Sequence, residues 1–307
     1  MVDCSNSTKI DPNINILEII VTIPVTLFGG LFNATALWVF CCKMRKWTEA
    51  RIYMINLAMA DFTIVFTLPF ITYFHHHEWP EDYFCKVVFI IHCINMPMSN
   101  SLITLIALDR YIAIKHPLKA KALRSPRKAA TACLFLWLCC VPSAVIIVTT
   151  FPQSQKYCFY QSKGYPPSIH FYTFSFFFIP LLILIFCSIQ IIRCLKEKQN
   201  ASLWEEKLTR KALRVISVNM GTFIVCSLTF NLILLVRYGA DAAEANCRVL
   251  DALNKAIVIS ALISHLNCCL DAICYYLVAK EFQEAASFLP CFHSVQYRSN
   301  STQDSQL

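Results

Sequence analysis

Charge is scarce in this chain of 307 residues: Asp, Glu, Lys and Arg together make up 15% of it, where a soluble domain carries roughly a quarter. Hydrophobic residues reach 57%, and the mean hydropathy is +0.52. That is more apolar surface than a water-facing fold can hide, which excludes an ordinary soluble domain. Glycine is scarcer still, at five residues. Transporters built on paired, interrupted helices need such breaks in two matching halves, and no two halves of this chain look alike. Cysteine is plentiful, at 17, but the paired spacings of a structural zinc site are missing. Most cysteines, as in Cys139-Cys140 and Cys268-Cys269, lie inside apolar runs as small buried hydrophobes. A nucleophile–base pair or metal cluster at membrane depth is also missing, because His92, His265 and Asp61 are scattered. The chain is therefore expected to perform no chemistry of its own. His75-His76-His77 has no second ligand set for Zn²⁺ and reads as solvated rim histidines.

What the chain does have is seven apolar runs, near 16–42, 52–75, 86–114, 128–150, 169–195, 212–238 and 251–278. Each meets the roughly 20 residues that span a bilayer. The expected fold is an all-α membrane protein, a bundle of seven transmembrane helices followed by a short amphipathic eighth. Its divisions are an outer N-terminus at 1–15, a membrane domain at 16–278, the amphipathic helix at 279–291 and an inner tail at 292–307. The first run follows polar residues without a basic leader or cleavage site, so it reads as a retained helix. With the N-terminus outside, 20 of the 27 Lys and Arg residues fall on the inner side, as the positive-inside rule requires. The net charge of +8 is thus a topology signal rather than a nucleic-acid footprint. Asn6-Ser7-Thr8 is a glycosylation sequon in the outer segment. Lys280–Cys291, KEFQEAASFLPC, is amphipathic and ends in Cys291, which suits an interfacial helix with palmitoylation there.

Ionisable groups inside a membrane are costly and mark function by default. Asn33, Asp61, Asp109, Arg110, Asn267 and Asp271 fall within or at the edges of the runs. Asp61, Ser99 and Asn267 lie at comparable depths in the second, third and seventh runs, and Asp271 is one turn after Asn267. This set either coordinates a cation such as sodium, or one carboxyl keeps a proton and donates to the other. Asp109 beside Arg110, at the inner end of the third run, makes an ion pair able to switch partners.

These residues carry a resemblance. The chain resembles the rhodopsin-like (class A) G-protein-coupled receptors over essentially its full length, and within them the branch that takes lysophospholipids, nucleotides and aromatic acids. Asn33 in GGLFN, NLAMAD at Asn56–Asp61, Asp109-Arg110-Tyr111, Trp137, Pro180, FIVCSL at Phe223–Leu228 and NCCLDAICYY at Asn267–Tyr276 match its landmarks in order. The resemblance implies a plasma-membrane receptor with disulfides Cys85–Cys158 and Cys4–Cys247. It also implies outward movement of the sixth helix on activation, which opens a cleft floored by Arg110 for a heterotrimeric G protein of the inhibitory or Rho-activating families. Phe223, Asp271 and Tyr275 would take part in the switch, with Tyr275 swinging toward Arg110. Three departures stand out: Thr209 replaces the glutamate that latches the arginine, Thr229 the proline that kinks the sixth helix, and Ala272 the proline of the seventh.

For the ligand, the resemblance and the cations together suggest a small acid, with Arg237, Lys255, Lys163 and His92 as donors. Met96 and Ile147 stand where members of this branch carry arginines. A longer, more apolar acid of the lysophospholipid kind would instead use the aromatic fifth helix, His170–Phe178. A nucleotide receptor is the alternative within the class, and a transporter the distant one. Ser294, Ser299, Ser301, Thr302 and Ser305 are kinase targets for arrestin binding, and Ser305-Gln306-Leu307 suits a PDZ groove. Membrane lipids are implied partners throughout.

Overall fold

The computed structural model describes residues 12–44, 46–116, 118–120, 124–150, 158, 168–197, 214 and 216–278. Seven helices long and apolar enough to cross a membrane account for nearly all of them. Helix α1 runs Pro12–Trp38 and continues through a wider π-helical turn at Val39–Lys43; α2 is Glu49–His76, α3 Tyr83–Lys115 and α4 Pro126–Thr150. Helix α5 comprises Ser168–Thr173, a π-helical Phe174–Phe178 and Ile179–Glu197. Helix α6 spans Ile216–Ala242 with a π-helical stretch at Phe223–Leu228. Helix α7 comprises Cys247–His265 and Asn267–Val278.

The expected runs reappear as these helices, most of them a few residues longer, because the helical ladder continues through the polar residues that flank each apolar run. The sixth ends at Ala242 rather than near 238. Polar caps set several starts. Thr48 accepts from the Arg51 amide at 3.3 Å, Asp82 from the Cys85 amide at 2.8 Å and Asn246 from the Val249 amide at 3.0 Å, satisfying donors that have no intrahelical partner. Pro24, Pro69, Pro97 and Pro142 sit inside helices, a placement that neighbouring helices make tolerable in a membrane bundle.

The distribution of polarity is inverted relative to a soluble protein. Leu27, Phe66, Phe135 and Leu182 point outward, while Asn33, Asp61, Asn95 and Asp271 are buried. The main core joins Phe40, Met54, Leu57, Met98 and Leu102 with Tyr275, and a second packs Ile103 and Leu184 around Phe177 and Phe223. At one end of the bundle Cys85, in the first turn of α3, is disulfide-bonded to Cys158. Asp109 and Arg110 lie at the opposite end of α3. Small residues set the α1–α7 distance: a Cβ on Gly29 would meet Cys268 Sγ at 2.8 Å and Val65 at 3.2 Å.

Candidate functional site

Toward the disulfide end, the bundle encloses a cavity of about 310 Å³. Its walls are mostly apolar, with Ile64, Ile71, Phe89, Met96, Ile147 and Leu234 among them. Near its mouth, Glu18 on α1 meets His75 on α2 at 2.9 Å, and Lys86 pairs with Glu81 at 3.5 Å. Deeper, His92 on α3 shares a hydrogen bond with Thr67 (3.2 Å) and stands edge-on to His265 of α7, with ring centroids 5.2 Å apart. His265 Nδ1 is buried without a hydrogen-bond partner.

Of the residues expected to hold a ligand, His92 and Met96 line this cavity, and Lys163 lies outside the described residues. Arg237 and Lys255 require a correction, since neither belongs to the lining. Arg237 is buried, paired with Asp241 one turn on and hydrogen-bonded to Asn254 at 2.8 Å. Lys255 pairs with Asp251 at 3.1 Å. A carboxylate four residues away lies on the same helix face and pairs with each cation.

Asn95, Ser99, Asn100 and Asn267 line the lower part of the cavity and lead into a buried polar network. Asn95 donates to Asp61 Oδ1 at 3.3 Å and to the Ala60 carbonyl at 3.0 Å. The amide of Asn33 donates to the carbonyls of Gly29 and Cys268, both at 3.0 Å, which aims its Oδ1 at the Tyr275 hydroxyl, also 3.0 Å away. That hydroxyl is 3.2 Å from Asp61 Oδ2 as well, and its ring packs edge-on to Phe40. Asn267 donates to Asp271 Oδ2 at 2.9 Å. Thus Asp61 is held through Asn95 and Tyr275, two residues outside the Asp61–Ser99–Asn267–Asp271 set that the sequence brought together. Ser99 Oγ and Asp271 Oδ1 remain buried without hydrogen-bond partners. An all-oxygen set with orphaned acceptors is the donor chemistry a hard cation requires.

The π-helical stretches interrupt the regular hydrogen-bond ladder of α5 and α6. A wide turn releases carbonyls from the helical ladder, and side chains from α3 and α7 collect them. Asn100 donates to the Phe176 carbonyl at 3.2 Å, and Ser264 to that of Cys226 at 2.5 Å. Ser227 donates to Asn100 Oδ1 at 2.8 Å, tying α6 to α3. The α6 stretch ends immediately before Thr229, so the irregularity that proline provides elsewhere is supplied here by Phe223–Leu228. Phe223 itself is fully buried and stacks on Phe177 at 5.4 Å. In α7 the break falls at Leu266, six residues before Ala272.

At the end of the bundle opposite the disulfide, Asp109 is held by a partner that the sequence does not suggest. Arg124, just before α4, approaches its two carboxylate oxygens at 2.6 and 3.0 Å and reaches Glu49 of α2 at 3.5 Å. The Asp109–Arg110 pair is the longer contact, at 3.7 Å. Burial works against the charge on Arg124, but the hydrogen bonds and charge of Asp109 outweigh it and hold the guanidinium above its ordinary pKa. Tyr111 stacks edge-on against His116 and Phe186. In the sequence Arg124 had counted only as one more inner-side charge. Asn95 and Asn100 could have been found by extending the search for polar residues at membrane depth to every amide.

His75 and His76 belong to the last turn of α2 rather than a loop, and His77 stacks on Tyr73. Cys247 is disulfide-bonded; Cys4, Asn6, the amphipathic helix with Cys291, Thr209 and the tail lie outside the described residues.

Residues 32–275 match the family described as 7 transmembrane receptor (rhodopsin family). The chain is 37% identical over 283 residues to G-protein coupled receptor 35 of Mus musculus, covering 92% of each chain. It is 40% identical over 261 residues to the Homo sapiens receptor of that name, covering 85% of this chain and 83% of the relative. Lysophosphatidic acid receptor 6 of Mus musculus is 32% identical over 280 residues, covering 85% and 80%. With seven membrane-spanning helices, the Cys85–Cys158 disulfide and the buried Asn33–Asp61–Tyr275 junction in place, this chain belongs to the rhodopsin family of seven-transmembrane receptors, a multi-pass protein of the plasma membrane that is not an enzyme.

Proposed function

We propose that this receptor, with its N-terminus outside, binds a small amphiphilic acid and activates inhibitory and Rho-activating G proteins by outward movement of α6. The observation that carries this reading is the continuity of the cavity with the switch: Asn95 and Asn267 line the one and hold Asp61 and Asp271 of the other. A ligand acts by its differential affinity for two arrangements of the bundle, and one seated here touches residues whose partners would change. The acid group is assigned to the His92–His265 pair, where the Nδ1 of His265 has no partner, and the apolar walls take the tail. Similarity to a receptor named for lysophosphatidic acid supports the same ligand class.

Orientation is supported by the positive-inside charge distribution and by the Cys85–Cys158 bridge, since such bonds persist in oxidising compartments. Asp61, Ser99, Asn267 and Asp271 would hold a sodium ion, which would supply positive charge between the carboxylates and favour the arrangement that contains it. Arrestin and PDZ binding by the tail belong to the same proposal.

Purified receptor in nanodiscs, combined with G protein, tests it through nucleotide exchange against a panel of aromatic acids and lysophospholipids. An acid from the panel is expected to accelerate exchange and its uncharged ester to fail. His265→Ala is expected to lower potency at least tenfold, while Arg237→Ala, if it folds, preserves it. Equal potency of acid and ester would overturn the ligand class, and exchange unresponsive to the receptor would overturn the coupling.

A further inference from the structure

Among the described residues the free cysteines are mostly buried or half-buried, and the exposed ones are two neighbours, Cys41 and Cys42. They sit in the π-helical turn Val39–Lys43 that ends α1. Val39 and Phe40 of that turn are buried, and Phe40 packs against Tyr275, so the turn has one face on the core and presents the adjacent thiols outward. The Cys41 carbonyl accepts from Arg51 at 3.4 Å, which fastens the turn to the start of α2.

The surroundings place these thiols at a membrane boundary. Trp38 and Trp47 flank them and are 50% and 59% exposed, as in the aromatic belts found at headgroup level. Lys43 lies over the Trp38 ring at 4.8 Å and Arg51 over Trp47 at 3.8 Å. Lys43, Arg45 and Lys46 follow in sequence, a basic group that attracts anionic headgroups. The turn lies at the end of the bundle opposite the Cys85–Cys158 bridge, the inner end under the orientation proposed above, where thiols stay reduced.

The geometry points to Cys41 and Cys42 as a site of S-acylation by a long-chain fatty acid, separate from the expected Cys291. The cysteine sulfur attacks the thioester carbonyl of a long-chain acyl-coenzyme A, delivered by an acyltransferase. A new sulfur–carbonyl bond forms, the coenzyme's carbon–sulfur bond breaks, and coenzyme A leaves as a thiol with the cysteine's proton. No redox change occurs. The acyl chain then lies along the outer face of α1 beside Trp38, with its thioester at the depth of the belt. Each chain anchors a turn that also carries Phe40, the ring that backs Tyr275.

The test uses the full chain expressed in mammalian cells, with hydroxylamine-dependent exchange of thioesters for a polyethylene-glycol maleimide that counts acylated cysteines. Cys291→Ser is expected to retain at least one mass tag, and the Cys41→Ser/Cys42→Ser variant to lose one or two relative to wild type. Mass spectrometry of the wild-type peptide containing Cys41 and Cys42 is expected to show the acyl increment directly, which keeps the test independent of how the variant folds. An unmodified peptide together with unchanged tags in the double variant overturns the site. An N-terminal epitope inaccessible on intact cells overturns the orientation instead, and the site with it.

Discussion

Replacing Arg124 with alanine removes the cation that holds Asp109, and the size of the effect can be worked from the geometry. The Asp109 side chain is 5% exposed and that of Arg124 26%. Two nitrogen–oxygen contacts at 2.6 and 3.0 Å make the pair bidentate. Breaking a fully buried pair costs about 3–5 kcal/mol, and an exposed pair contributes only about 0–1 kcal/mol. A pair that is buried on one side and a quarter exposed on the other falls between, at about 2 kcal/mol, with the 3.5 Å contact to Glu49 adding little. At roughly 2–4 °C per kcal/mol, the detergent-solubilised receptor is expected to melt at least about 4 °C lower. A double-mutant cycle of Arg124→Ala with Asp109→Asn isolates the interaction and is expected to return a coupling of about 2 kcal/mol. A second readout concerns signalling. Without Arg124, Asp109 keeps only Arg110 as its cation, so ligand-free nucleotide exchange on G protein is expected to fall. Asp109→Asn releases Arg110 and is expected to raise it. A coupling below about 0.5 kcal/mol, or exchange rates that move in the same direction in both single variants, would refute the reasoning.

Gly29→Ala drives a methyl group to 2.8 Å from Cys268 Sγ and 3.2 Å from Val65, an overpacking expected to cost about 1–3 kcal/mol. At Gly221 the added Cβ meets nothing within 4 Å, so Gly221→Ala is expected to leave stability unchanged or raise it by up to about 1 kcal/mol. Thermal melts of the two purified variants check the contrast. Sodium, compared with choline at equal ionic strength, is expected to raise the melting temperature of the wild-type receptor. Asp271→Asn is expected to abolish that dependence, and a shift of the same size in the variant would remove sodium from the Asp61–Asp271 site.

Length and apolarity alone determine seven spans, because a hydrocarbon layer about 30 Å thick admits only helices of some 20 apolar residues with their backbone bonds made internally. The cost of polar groups in that layer likewise marked Asn33, Asp61, Asn267 and Asp271 before any coordinates. Even the pairing of Arg237 and Lys255 was legible, as carboxylates at Asp241 and Asp251 four residues away. The partners that cross the bundle were not legible. Tyr275 meets Asn33 across 242 positions, and Arg124 reaches Asp109 from the segment before α4. The wide turn at Phe174–Phe178 has a signature in Pro180, whose missing N–H leaves the Phe176 carbonyl to Asn100, but the turn at Phe223–Leu228 contains no proline or glycine and is sustained by Ser264 on another helix. Composition along the chain is enough to say which residues cannot face lipid. Which of them satisfy one another is set by packing, because a buried polar group takes the donor brought within about 3 Å, and chain order does not specify that neighbour.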